Sequence, residues 1–311
     1  MTKFGVFLPV SGRAASRKTL MQSAQQAETL GYDSVWSADR IIIPWEIKTT
    51  YPYSKEATFI VPPDRPFFEP LTCLAFLAGC TEKIQLGMSV MVLPYRHPLY
   101  WAKIATTIDH LCMGRLIMGV GVGWMQEEFA AMSAPFAERG KVSDEQLQLL
   151  DTIWNEEHAS FHGQHYNFSD IAFGPKPYQK PRIPIWVGGE GKLAQRRAGV
   201  YGDAWFPYFV RITPRELAAR FENVRRCARE AGRRQDAITF ACCLPIELTP
   251  QEVPQEEDYL KGNIRQVTDA IKKFQDVGVV HIGLQFMVPH YPERQEQIER
   301  FAKEALPVLR G

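Results

Sequence analysis

Short β-rich apolar runs alternate with amphipathic helical stretches from one end of this chain to the other, and no shift in composition interrupts the rhythm. The strands read as continuous apolar runs, the pattern of parallel strands buried on both faces. Eight are placed in this way: Phe4 to Pro9, Asp33 to Trp36, Ile84 to Val92, Leu116 to Val122, Pro184 to Val187, Ala204 to Phe206, Ile238 to Cys243, and His281 to Phe286. Between them lie helical patterns. One starts near Lys18, keeps Leu20, Ala24, Ala27 and Leu30 on one face and stops at Gly31; others span Leu71 to Cys80, Trp101 to Leu111, Lys141 to Trp154 and Lys192 to Gly199. Thr213-Pro214-Arg215-Glu216 is a capping box with proline at the first helical position, and its helix ends near Gly232. Ile264 to Phe274 and Glu293 to Leu306 complete the set.

This arrangement predicts an α/β chain, a (β/α)8 TIM barrel. Such a barrel takes about 250 residues, and three long connections, 41–69, 156–183 and 246–262, account for the rest of the 311. A doubly wound open sheet is the alternative, but it requires a glycine-rich dinucleotide turn after the first strand, and Pro9-Val10-Ser11-Gly12-Arg13 is not one.

Charge and cysteine usage narrow the function. With 36 Lys+Arg against 35 Asp+Glu there is no basic footprint for nucleic acid. No apolar run approaches the roughly 20 residues of a membrane span, and the first residues read as a core strand instead of a signal peptide, so a cytoplasmic location is expected. The six cysteines lie in apolar, periodic segments without CxxC spacing, which predicts buried thiols and no metal site. His158, His162 and His165 fall in the connection before the fifth strand and are expected on a small surface hairpin.

In a barrel the chemistry gathers where strands end. No paired histidines, no Ser-His-Asp order and no strand-end lysine appear there, which removes metal-dependent hydrolysis, nucleophilic hydrolysis and Schiff-base chemistry. The turn Gly188-Gly189-Glu190-Gly191 runs into a helix, so converging N–H groups and the helix dipole suit a phosphate or similar anion. Gly119, Gly121 and Gly123 are small positions that either admit a flat ligand against the backbone or fit the taper of the barrel.

Several segments then carry a resemblance. They are Gly31-Tyr32-Asp33-Ser34-Val35-Trp36-Ser37-Ala38-Asp39-Arg40, Ile84-Gln85-Leu86-Gly87-Met88-Ser89-Val90 and Leu93-Pro94-Tyr95-Arg96-His97-Pro98. Gly114 to Trp124 with Glu127-Glu128-Phe129, Pro184 to Gly189, and Gly202-Asp203-Ala204-Trp205 follow in order. Over nearly its whole length, as one domain from 1 to 311, the chain resembles the bacterial luciferase-like flavin-dependent oxidoreductases. The pattern is most similar to their members that use the deazaflavin coenzyme F420.

The resemblance implies a barrel with the cofactor ring across its C-terminal mouth. It also implies a non-proline cis peptide at Ser89-Val90 backing that ring, Asp39 near the ring, and the cofactor phosphate at Gly188, Gly189 and Gly191; Gly121 and Gly123, the flat-ligand positions, join the candidate cofactor-binding residues. Deazaflavin-dependent dehydrogenases of the family carry histidine after the aspartate, whereas this chain has Arg40. Arg40 is no proton acceptor, so its candidate role is to clamp an anion or stabilise charge on a reduced ring, against a structural ion pair with Asp39 or another carboxylate.

Loop 41–69 carries many aromatics and prolines and follows the second strand, so it is expected to wall or cover the mouth, with Trp45 and Trp124 at the substrate. His290 follows the eighth strand and is a candidate for proton transfer. The expected function is hydride transfer between coenzyme F420 and a small organic substrate. The alternatives are a two-component FMN-dependent monooxygenase that uses O2 and reduced FMN supplied by a separate reductase, and a flavin-binding protein without turnover; a flavin or F420 reductase is a candidate partner. A homodimer is common in the family.

Overall fold

The computed structural model describes residues 1–53, 59, 61–208, 211–234, 236–254 and 260–311. Its strands are β1 (Lys3–Phe7), β2 (Ser34–Ser37), β3 (Gln85–Met88), β4 (Leu116–Gly121), β5 (Ile185–Val187), β6 (Ala204–Trp205), β7 (Thr239–Leu248) and β8 (His281–Phe286). Each pairs in parallel with the next, and β8 returns to β1 with Lys3 opposite His281, so the sheet closes. The helices α1 (Arg17–Thr29), α2 (Pro70–Ala78), α3 (Pro98–Leu111), α4 (Arg139–Asn155), α5 (Lys192–Tyr201), α6 (Pro214–Glu230), α7 (Ile264–Asp276) and α8 (Tyr291–Glu304) follow the strands one for one. This is the expected (β/α)8 barrel.

Local chemistry explains several boundaries. Ser16 Oγ accepts from Thr19 N and starts α1. The Thr213/Glu216 box opens α6, and an Asn263/Gln266 box opens α7. Inside the barrel the strands contribute large rings to one plug. Trp36 lies 4.5 Å from Phe206 and 5.2 Å from Trp186, and Trp186 lies 4.9 Å from His281. Ser34 Oγ and His281 Nε2 form a 2.8 Å hydrogen bond at the base of that plug. Burial lowers the pKa of His281 to about 3.

Three segments depart from the sequence expectation. The third strand stops at Met88 and resumes as Met91–Val92, which pairs with β4 instead of continuing toward β2. The seventh runs five residues beyond Cys243 because Leu260–Gly262, within the connection expected to be loop, adds a parallel partner to Ile246–Leu248. The last helix breaks at Ala305 and restarts as Leu306–Arg310: Pro307 has no N–H to continue the ladder. Connection 156–183 contains the expected hairpin, Ala159–His162 against Asn167–Ile171, with His158 and His162 exposed. All six cysteines are free, and all but the half-buried Cys80 are buried. Among the described residues no helix is long and apolar enough to cross a membrane.

Candidate active site at the barrel mouth

The interruption of β3 shapes the mouth. Ser89 N donates to Ser37 O at 2.8 Å, and the Ser89–Val90 peptide is cis, as the resemblance implies. The Val90 side chain then faces the small residues of β4 and β5. A Cβ on Gly121 would stand 2.6 Å from Val90 Cγ2, one on Gly188 2.8 Å from Val90 Cγ1, and one on Gly119 1.9 Å from Met88 O. Gly119 and Gly121 thus leave room for the Met88–Val90 bulge, a reason for small residues beside the two the sequence offered.

Above the bulge lies a cavity of about 250 Å³. Phe7, Tyr51, Tyr53, Phe59, Phe67, Trp124 and Tyr208 give it aromatic walls; Asp39, Arg40, Ser89, Gln285 and Arg294 give it polar groups. Tyr51 and Phe59 pack on Trp124 with centroids 5.0 and 5.9 Å apart, and Tyr53 meets Tyr208 at 5.4 Å, so the described part of loop 41–69 does wall the mouth. Residues 54–58 and 60 of that loop lie outside the described residues. Burial raises the pKa of Tyr51, Tyr53 and Tyr208, so these phenols stay protonated.

Asp39 and Arg40 face different partners. Arg96 grips Asp39 with two bonds of 2.7 and 2.8 Å, and Val92 N donates to Asp39 Oδ2 at 2.8 Å. Burial works against the Arg96 cation, but the Asp39 hydrogen bonds and charge outweigh it, and its pKa ends above the ordinary value. Arg40 pairs with Glu128, which is fully buried, and its guanidinium carbon sits 5.0 Å from the Phe59 centroid and 5.1 Å from that of Trp124. Glu128 also accepts from Tyr95 Oη at 2.9 Å and from the N–H groups of Ile41 and Ile42 at 2.8 and 3.3 Å. Next to it, Glu127 accepts from Lys48 N, Thr49 N and Thr49 Oγ1 at 2.7, 2.9 and 2.7 Å. Two consecutive carboxylates on the helix Gln126–Ala131 thus pin the covering loop.

Across the mouth, Gly189 adopts φ +92°, open to glycine and strained for other residues. Trp205 Nε1 donates to Gly189 O at 2.9 Å and fixes the turn. Gly188 and Gly189 line the cavity; Gly191, the N-cap of α5, lines a separate open groove of about 1110 Å³ between α5 and α6. The turn separates the two spaces and presents the first-turn N–H groups of α5. Arg197, a turn further along α5, lines the cavity and pairs with Asp144 at 2.5 Å.

Of the sequence candidates, Asp39, Arg40, Ser89, Val90, Gly121, Gly123, Trp124, Gly188 and Gly189 line one cavity. Trp45 is 84 % exposed and outside it, and His290 is an exposed N-cap of α8, also outside it. Sequence reasoning assigned no role to Arg96, Glu127 or Glu128, although all three stand in the segments that carried the resemblance. Their partners are distant in sequence, 88 residues for Arg40 and Glu128, so spacing gave no signal. Arg294 and Gln285 were not noticed at all.

Fold and mouth together define a parallel (β/α)8 barrel with a covered cavity at the strand ends. The Luciferase-like monooxygenase family model matches residues 2–297, and the chain belongs to that family. It is 28 % identical over 295 residues to a phthiodiolone/phenolphthiodiolone dimycocerosates ketoreductase of Mycobacterium tuberculosis, covering 90 % of this chain and 76 % of that protein. An F420-dependent secondary alcohol dehydrogenase, solved with an F420-acetone adduct, superposes with a TM-score of 0.81 at 18 % identity over 100 % of this chain and 99 % of its own. The monooxygenase RslO1 of Streptomyces bottropensis superposes with a TM-score of 0.78 at 21 % identity over 98 % and 99 %. At these identities the two structures speak for the fold.

Proposed function

We propose that the protein transfers a hydride between coenzyme F420 and a small organic substrate at the barrel mouth. The observation that carries this reading is the aromatic-walled cavity whose floor is the Val90 bulge and whose rim is the glycine turn before α5. The ketoreductase relative and the F420-dependent structural neighbour support it.

The residues present fit such a cofactor. Ser89 Oγ is buried with no hydrogen-bond partner among the described residues, so it has a bond to offer to a polar ring edge. Gly188, Gly189 and Ala194 in α5 would hold the phosphate, with Gly191 on the other side of the turn, while Val90, Gly121 and Gly123 would lie along the ring. When bound, coenzyme F420 supplies or accepts a hydride. The chain's own residues orient the reactants and exclude water. Asp39 is held rigid by Arg96 and Val92 N, and carries its fixed charge to the same wall. Arg40 is neutralised by Glu128 and keeps Phe59 and Trp124 over the mouth, a positioning task more than a chemical one. The protonated hydroxyls of Tyr51 and Tyr53 serve as hydrogen-bond donors toward a substrate oxygen, a task for which the exposed His290 is poorly placed.

Substrate-free oxygen consumption tests the reading. Protein mixed with reduced F420 in air should leave the cofactor reduced, and it should not add to oxygen uptake by reduced FMN. Stoichiometric, protein-dependent oxygen uptake with reduced FMN would instead indicate a monooxygenase working with a separate reductase. Binding of F420 with no hydride passing from the reduced cofactor to a carbonyl, or from an alcohol to the oxidised cofactor, would leave a flavin-type binder.

A further inference from the structure

The charged groups of the cavity are not equivalent. Asp39 is held by Arg96, Arg40 by Glu128, and Arg197 by Asp144. Arg294 alone among the described charged residues lining this cavity has no carboxylate partner. Its Nε and Nη2 donate to Val288 O at 3.0 and 2.8 Å, which orients the guanidinium and leaves Nη1 without a partner among the described residues. Burial lowers its pKa, with Tyr291 countering, yet an arginine remains charged at neutral pH. An oriented guanidinium with a donor open to the cavity suits an anion.

Its surroundings fit such an anion. Gln285 on β8 and Ser11 beyond β1 line the same cavity, and neither side chain has a hydrogen bond to a described residue. Strands β8 and β1 are adjacent, and both lie across the barrel from β4 and β5, which carry Gly121 and Gly188. The proposed cofactor phosphate at Gly188 and Gly189 is thus on the far rim. The walls between are aromatic, with Phe7, Phe67 and Tyr208 on the Arg294 side.

We infer that Arg294, with Gln285 and Ser11, forms the substrate's anchoring site, and that the substrate is an aromatic or otherwise apolar molecule bearing a carboxylate. The planar fork of a guanidinium matches a carboxylate, and the flat remainder of the molecule lies against the rings. This rests on the reading of the mouth as the reaction site and names the class of substrate. The role the sequence gave Arg40, clamping an anion, passes to Arg294 because Glu128 already occupies Arg40.

The test uses benzoate, its neutral isostere benzamide, and phenyl phosphate as probes, followed by tryptophan fluorescence and calorimetry. They are titrated into the protein both without added cofactor and loaded with oxidised F420. Wild type should bind benzoate at least about tenfold more tightly than benzamide. That preference should vanish in Arg294→Gln, persist in reduced form in Arg294→Lys, and leave the affinity for F420 unchanged. Added chloride should weaken benzoate and not benzamide in the wild type, a readout that needs no variant. Equal binding of benzoate and benzamide, or a preference surviving in Arg294→Gln, overturns the proposal. Tighter binding of phenyl phosphate than benzoate overturns the carboxylate assignment, and loss of F420 affinity in Arg294→Gln returns the residue to the cofactor. Failure of wild type to take up F420 strikes the cofactor reading instead, while the benzoate preference of the cofactor-free protein still decides the anchor.

Discussion

Val90 and the glycines it touches mark the tightest packing at the mouth. Gly121→Ala forces its methyl group to within 2.6 Å of Val90 Cγ2, and overpacking of this kind costs about 2 kcal/mol; thermal unfolding of the variant should show it, and an unchanged midpoint would mean that Val90 moves aside freely. Gly189→Val tests the phosphate assignment. It should weaken cofactor binding while far-ultraviolet circular dichroism stays that of the barrel, and undiminished affinity would remove the assignment. His281 gives a pH dependence. Its folded pKa of about 3 lies below the unfolded value of 6.5, so the unfolded chain binds the extra proton and stability falls as pH drops from about 6.5 toward 3. The slope is about 1.4 kcal/mol per pH unit from this residue. His281→Gln should flatten the acid limb of the stability curve by that amount relative to wild type, and parallel limbs would contradict the assignment. At this scale the sequence was half legible. That Gly119 and Gly121 are small positions could be read from it, but the Met88 carbonyl and the Val90 methyls that require it belong to the interrupted third strand. The charge of Arg40 was equally plain, while its capture by Glu128 depends on a contact between two separate loops.

Loop 41–69 stays over the mouth because Glu127 and Glu128 take its backbone N–H groups. The two carboxylates differ in what their loss should do. Glu127→Ala removes bonds to Lys48 and Thr49 at a half-buried position outside the core, so limited proteolysis should cut within 41–69 faster while the barrel melts nearly as before; unchanged cleavage would show that the aromatic contacts suffice. Glu128→Gln strands the Arg40 guanidinium in the interior, and breaking a buried pair in this way costs about 3–5 kcal/mol. Denaturant unfolding should register it, and a loss below 1 kcal/mol would mean that Arg40 finds another partner. Elements were the most legible scale: β8 is found where the apolar run placed it, and the α6 capping box opens where Thr213 and Glu216 predicted. The misses have two causes. β3 runs only to its bulge and β7 on to Leu248 because pairing partners are set by tertiary contacts that an apolar pattern does not encode, whereas the break at Ala305 is local and marked by Pro307.

Closed by β8 returning to β1, the barrel gives all its strand ends one direction, and so one mouth where distant segments meet. Parallel pairing was legible from the unbroken apolar runs, and closure from their number; the depth of the mouth was not, since it depends on the covering loop and the bulge together. The relatives divide between F420 and monooxygenase chemistry on the same scaffold, so the cofactor is the fact on which the account turns. Parallel titrations of the purified protein with coenzyme F420 and with FMN, followed by tryptophan fluorescence, test it most directly, because Trp124 lines the cavity and Trp36 and Trp186 stand in the plug below. F420 should quench saturably, with FMN weaker by about tenfold or more. Tight quenching by FMN with no response to F420 would contradict the F420 reading.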